Sequence, residues 1–83
     1  MLTAQALLNQ IRWDERLNAD VFVIGYYDRV EEKIIKVMFN EIRFPEDHHF
    51  QFEIADETGT WRSIPYHRVR EIYRNGKLIW HRD

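Results

Sequence analysis

Residues 66–82 read YHRVREIYRNGKLIWHR and hold the clearest structural signal in the chain, an Asn75-Gly76 pair between two strand-like runs. Both central residues of a type I′ turn must adopt positive φ, and Asn-Gly is a pair that does so readily. The segment therefore predicts a tight β-hairpin. A helix over residues 67–73 is the alternative, because the arginines of this segment also allow a helix.

A two-residue turn at this position also predicts which residues of the hairpin face each other. The expected pairs are Tyr73 with Leu78, Ile72 with Ile79, Glu71 with Trp80, and Arg70 with His81. Since side chains alternate between the two faces of a strand, one face of the hairpin is then basic around the two isoleucines. The other face carries Trp80 and Arg82.

The rest of the chain supplies one helix and four more strands. A helical face is predicted from four apolar residues spaced at i, i+3, i+4 and i+7: Ala4, Leu7, Leu8 and Ile11. Thr3 is the expected N-cap of this helix. Strands are predicted at residues 21–27, 33–39, 50–54 and 61–64, the first of them covered on both faces. The predicted fold is α+β, an N-terminal helix packed on a curved, mainly antiparallel sheet of about five or six strands.

Composition limits the classes of protein to which the chain can belong. Its 83 residues, 45% of them hydrophobic, predict one domain over residues 1–83 with a core rich in aromatic rings. The absence of cysteine excludes disulfide scaffolds, cysteine-ligated metals and thiol catalysis. No apolar run approaches the roughly 20 residues of a membrane span, and no signal peptide is recognisable. We therefore expect a cytoplasmic protein that does not engage membranes.

The net charge of −2 conceals an uneven distribution. Residues 1–60 have a balance of −6, whereas residues 61–83 have a balance of +4. A uniformly basic protein coats nucleic acid without choosing a site, but this chain is suited to a local cationic site on an acidic body. Chance clustering of surface charges is the alternative interpretation.

Signals for catalysis or metal binding are weak. The chain has no His-Glu-x-x-His motif, no glycine-rich phosphate loop and no nucleophile elbow. His48 and His49 are adjacent, so on a strand they would point to opposite faces, and a solvated loop pair is favoured over a shared metal. We predict no catalytic residue, no metal site and no cofactor.

Three short segments nevertheless have side chains suited to recognition. Pro65 restricts the backbone that delivers His67 and Arg68, a pair able to contact phosphate or a sugar edge; pairing of Arg68 with a nearby acid is the alternative. Trp13 follows an amphipathic helix, which favours core packing over base stacking. Asp14 and the Asp28-Arg29 pair could belong to turns or to sites.

Four blocks of sequence resemble, in their order and rough spacing, the RNA cyclic group end recognition domain. The blocks are IRWD at 11–14, IGYYDR at 24–29, IPYHRV at 64–69 and GKLIWHR at 76–82. By motif position, the resemblance implies these candidate RNA-binding residues: Trp13, Asp14, Tyr26, Asp28, Arg29, His67, Arg68, Trp80 and Arg82. Other members of the family have His-Arg-Gly where this chain has Asp28-Arg29-Val30. This difference affects the role implied for Asp28 more than the role implied for Arg29.

The resemblance implies a non-catalytic domain that recognises single-stranded RNA 3′ ends bearing a 2′,3′-cyclic phosphate, in RNA repair or processing. A separate ligase, nucleotidyltransferase or phosphoesterase would then be a partner. Tyr66 or Trp80 would stack the terminal base, as aromatic rings do in other readers of single-stranded RNA. Two alternatives remain open: a protein-interaction subunit of an RNA-processing assembly, and a cyclic-phosphate hydrolase or ribonuclease that uses His67 and a second histidine.

Overall fold

The computed structural model describes residues 2–46 and 50–82, and it has the α+β architecture expected from the sequence. The helix and strands are α1 (Ala4–Trp13), β1 (Phe22–Asp28), β2 (Lys33–Met38), β3 (Gln51–Ala55), β4 (Trp61–Pro65), β5 (Val69–Arg74) and β6 (Lys77–His81). Strands β2-β1-β5-β6 form one antiparallel sheet in that order, and β3-β4 form a separate hairpin. The described strands number six, but they form two sheets, so the large sheet has four strands where about five or six were expected.

Helix α1 begins and packs as its sequence predicts. The Thr3 hydroxyl accepts a hydrogen bond from the backbone N–H of Ala6 at 3.1 Å, which satisfies one of the free donors of the first turn. Ala4, Leu8 and Ile11 are buried in the core. Among the described residues, no helix is long and apolar enough to cross a membrane.

Strand β1 lies at the centre of the large sheet, but only one of its faces is fully buried. Phe22, Ile24 and Tyr26 point into the core, which α1 and the β3-β4 hairpin complete. The opposite face has no such layer among the described residues, because the helix and the small hairpin contribute to the same core. Val23 and Tyr27 are accordingly half-exposed, so the prediction that this strand is covered on both faces was wrong.

The C-terminal hairpin has the predicted turn but not the whole predicted register. Asn75 and Gly76 have φ of +50° and +85°, as a type I′ turn requires. Tyr73 pairs with Leu78 as expected. Ile79 is then an extra residue in a β-bulge, so the remaining pairs are Ile72 with Trp80 and Glu71 with His81. The bulge turns Trp80 into the core, where it is 9% exposed.

The alternative of a helix over residues 67–73 is also wrong. Only Tyr66–Arg68 form a single 3₁₀ turn, after which the chain continues as β5. Pairing with β1 on one side and β6 on the other holds this segment extended, because both strands use its backbone groups.

Candidate functional site

One end of the large sheet gathers basic side chains from three strands and two turns. Because neighbouring strands are antiparallel, this end is where β1 and β6 finish and where β2 and β5 begin. The segments that meet there carry Arg29, Lys33, His67, Arg68, Arg70, His81 and Arg82. We call these seven residues the basic end; the acids Asp28, Glu31, Glu32 and Glu71 lie on the same segments.

Two guanidinium groups of the basic end converge on one carbonyl oxygen. Arg70 Nη1 donates to the His67 carbonyl at 2.6 Å, and Arg82 Nη2 donates to the same oxygen. Neither arginine forms an ion pair with a carboxylate among residues 2–46 and 50–82. A guanidinium has five N–H donors in a planar fork. Both groups therefore keep donors with which to bind an anion.

A β-bulge accounts for the position of Arg70. Gly25 of β1 pairs with Glu71, but the next residue, Tyr26, pairs with Val69, so Arg70 is an extra residue in β5. Consecutive residues of a regular strand point to opposite faces, whereas a bulge re-aims a side chain. The bulge thus allows Arg70 and Glu71 to line the same groove.

This groove, of about 400 Å³, crosses the uncovered face of the sheet. Its lining residues are Ile34, Arg70, Glu71, Leu78, His81 and Arg82. Ile34 is on β2 and Leu78 on β6, the two outer strands, so the groove passes over β1 and β5. It combines apolar walls with cations, which suits a nucleotide: a sugar or base can contact the isoleucine and leucine while a phosphate meets the arginines.

His67 and Arg68 lie in the 3₁₀ turn that follows Pro65. The side chain of His67 is exposed, and its carbonyl is the acceptor shared by the two guanidinium groups. Arg68 is half-buried, and its Nε is buried without a hydrogen-bond partner in the part of the chain that the structure describes. Buried donors are nearly always paired, so this N–H is an exception, and Arg68 is not among the residues that line the groove.

Asp28 and Arg29 have different roles in the turn after β1. Asp28 Oδ1 accepts the backbone N–H of Val30 at 2.8 Å and that of Glu31 at 3.2 Å, so this carboxylate holds the turn together. Arg29 is exposed and forms no ion pair among the described residues. Of the two, Arg29 is the one available to a ligand.

Three aromatic candidates belong to the core. Tyr26, Tyr66 and Trp80 are 4%, 9% and 9% exposed. The Tyr66 ring packs against Phe52 with 5.5 Å between centroids, and Trp80 Nε1 donates to the Leu2 carbonyl at 2.8 Å. Burial raises the pKa of both tyrosine hydroxyls. Neither Tyr66 nor Trp80 therefore exposes a ring face on which the terminal base could stack in this structure.

Trp13 and Asp14, at the end of α1, make their contacts within their own segment. Trp13 is 71% exposed, with the Arg12 guanidinium 4.6 Å from its ring centroid, so the expectation of core packing was wrong. Asp14 accepts hydrogen bonds from the backbone and side chain of Arg16, which lower the pKa of this carboxyl. The cation–π contact of Trp13 and the hydrogen bonds of Asp14 do not involve the arginines of the basic end.

Metal binding finds no support in residues 2–46 and 50–82, where no three potential metal ligands cluster. His48 and His49, expected to be a solvated loop pair, lie outside the described residues.

Comparison with known proteins assigns the chain to a family. Residues 1–82 match the family described as the MJ1316 RNA cyclic group end recognition domain. The chain belongs to this family. UPF0248 proteins of Saccharolobus islandicus strains L.S.2.15 and Y.G.57.14 are each 33% identical to it over 78 residues, which cover 90% of this chain and 92% of theirs. No solved structure matches the chain significantly.

Membership of the RNA cyclic group end recognition family confirms the resemblance seen in the sequence blocks. The match extends across the whole basic end, from the turn after β1 to Arg82. Arg70 and Glu71, which the sequence did not single out as site residues, lie within the same matched region.

Proposed function

We propose that this protein is a non-catalytic RNA-binding domain that holds single-stranded RNA 3′ ends bearing a 2′,3′-cyclic phosphate. The observation that carries the proposal is the pair formed by Arg70 and Arg82, two guanidinium groups that lie beside a groove and form no ion pair with a carboxylate of the described residues. The family description, which names RNA cyclic group ends, supports the same ligand class. We further propose that the domain acts in RNA repair or processing together with an RNA-processing enzyme.

The chemistry of the groove agrees with such an end. A cyclic phosphate carries one negative charge and has no terminal hydroxyl group, whereas a linear phosphate carries between 1.5 and 2 charges at pH 7, by the usual behaviour of phosphomonoesters. The arginine forks supply donors for the phosphate oxygens. Ile34 and Leu78 supply apolar contact for the sugar or the base.

Binding assays with matched oligonucleotides test the proposal. Three RNAs of one sequence, ending in cyclic phosphate, linear 3′-phosphate or hydroxyl, are titrated against the parent protein and against R70A and R82A. We expect the cyclic end to bind most tightly and both variants to weaken it by about tenfold or more. K77A is the control, because Lys77 is an exposed cation at the far end of the hairpin. Equal affinity for the three ends would contradict the proposal.

The same RNA distinguishes binding from catalysis. The cyclic end is incubated with the protein and then analysed for conversion to a linear phosphate. We expect no conversion above background. Turnover that depends on His67 or His81 would instead identify a cyclic-phosphate hydrolase.

A further inference from the structure

A carboxylate shares the groove with the guanidinium groups of Arg70 and Arg82. Glu71 lines the groove together with Arg70 and Arg82, yet it forms no ion pair within the described part of the chain. Lys36, which pairs with Gly25 next to Glu71, holds its ammonium 4.6 Å from the Tyr73 ring centroid instead. A ligand that enters the groove therefore meets a carboxylate whose charge is not paired with a cation of the described residues.

Gly25 makes room for this carboxylate. A Cβ at Gly25 would lie 3.0 Å from Glu71 Oε1 and 3.0 Å from Ile34 Cγ2, which is too close unless a neighbour moves. The absence of a side chain on the central strand thus allows Glu71 to extend over β1. Its carboxylate is part of the floor of the groove.

The charges of the groove sum to a small positive value. Arg70 and Arg82 contribute two positive charges and Glu71 one negative charge, so these three side chains of the lining sum to +1. The repulsion between Glu71 and a ligand grows in proportion to the charge of the ligand, and it is therefore larger for a linear phosphate than for a cyclic one.

We infer that Glu71 reduces the electrostatic advantage of the more highly charged linear phosphate at the two arginines, and so shifts the preference of the groove toward the cyclic end. The inference rests on the proposed function and adds the physical basis of its specificity. Glu71 lowers the affinity for both phosphorylated ends, but it lowers the affinity for the linear end more, as a repulsive group must do to discriminate between ligands.

The E71Q variant tests this assignment, because it removes the charge and keeps the shape of the side chain. We expect affinity to rise by about threefold for the cyclic end and by about tenfold for the linear end, since a charge near two doubles the interaction free energy. The hydroxyl end should change little. E57Q is the matched control: it makes the same change in net charge at an exposed turn between β3 and β4.

Two further variants separate the charge from the shape of the groove. E71D keeps the charge and should retain most of the preference for the cyclic end. G25A keeps every charge but displaces the carboxylate, and we expect it to change the ratio of cyclic to linear affinity while circular dichroism confirms the fold. If E71Q does not fold, G25A and E71D still decide whether the ratio follows the carboxylate.

The outcomes separate this inference from the proposed function. A parent protein that does not distinguish the three ends overturns both. A parent that prefers the cyclic end, with the same ratio in E71Q, overturns only the role of Glu71. Weaker binding of the hydroxyl end by E71Q also overturns it, because Glu71 would then accept a hydrogen bond from the ribose.

Discussion

The backbone N–H of Arg82 donates to the carbonyl of Arg70 at 2.9 Å, so two arginines face each other where β5 begins and β6 ends. Like charges at facing positions are unfavourable in a sheet. Here both guanidinium groups reach the His67 carbonyl, an acceptor without a full charge to neutralise them. The arrangement concentrates positive charge beside the groove.

This arrangement predicts that R82Q weakens binding of a cyclic-phosphate RNA without unfolding the protein. Loss of one charge-assisted contact should cost about 1.5–3 kcal/mol, or roughly ten- to a hundredfold in affinity. Arg82 is exposed, so the melting temperature should change little. Titration and thermal melting of the same preparation check both parts; a large loss of stability would show that Arg82 is structural.

The H67A and R68A variants should weaken the same binding, with R68K recovering only part of the loss because lysine lacks the bidentate fork. Affinity should also fall with salt along a shallow slope, since few phosphates are neutralised. Lys77 is a better control position than Arg74, whose Nε donates to Asp20 at 2.7 Å. If both alanine variants bind the RNA as tightly as the parent, the 3₁₀ turn does not belong to the binding site.

I24A should lower the free energy of unfolding by about 2–4 kcal/mol, as large-to-small substitutions in cores do. Ile24 is fully buried on the central strand, whereas Val23 faces the uncovered side. V23A should therefore cost clearly less than I24A. Urea denaturation of the two variants measures the difference, and equal losses would mean that both faces of β1 are packed.

G76V should destabilise the hairpin while leaving RNA binding intact in the folded fraction. Gly76 has φ of +85°, and a Cβ there would meet no atom within 4 Å, so the cost is conformational rather than steric crowding by neighbours. K77V, one residue later in β6, is the control for β-branching alone. An unchanged melting temperature in G76V would contradict the positive-φ requirement.

Stability should fall at acidic pH, in part through Asp20. Hydrogen bonds from Asn75 and Arg74 lower the pKa of the Asp20 carboxyl. Because the folded pKa is below the unfolded one, this contribution is complete above about pH 4 and disappears as the pH falls through the folded value. D20N should therefore be less stable than the parent at pH 7, with the difference shrinking below pH 4. If the difference in stability between D20N and the parent did not change with pH, the effect would come from the shape and hydrogen bonding of the new amide and not from the charge of Asp20.

Local signals in the sequence were sufficient for most elements. The spacing of Ala4, Leu8 and Ile11 located the helix, and Asn75-Gly76 located the turn, because both depend on residues close together in the chain. The division into two sheets was not predicted. Strand order depends on how β3 and β4 pack across the core, which no local pattern records.

Two bulges explain why the site was only partly predicted. His67, Arg68 and Arg82 were identified from sequence, and the fold brings them to one end of the sheet. Arg70 and Glu71 were not identified, because consecutive strand residues are expected on opposite faces and only the bulge at Arg70 allows both to line the groove. Trp80 likewise changed face because of the extra residue in β6.

The strand order also has a kinetic consequence. The pairing of Val23 with Tyr73 joins positions 50 residues apart, so the centre of the large sheet forms only after a long loop has closed. Folding dominated by such distant contacts is slow compared with that of a helical bundle. The groove needs β1, β5 and β6 in register, and it therefore cannot precede this pairing. Refolding rates measured by tryptophan fluorescence and by capture of a labelled RNA end should coincide.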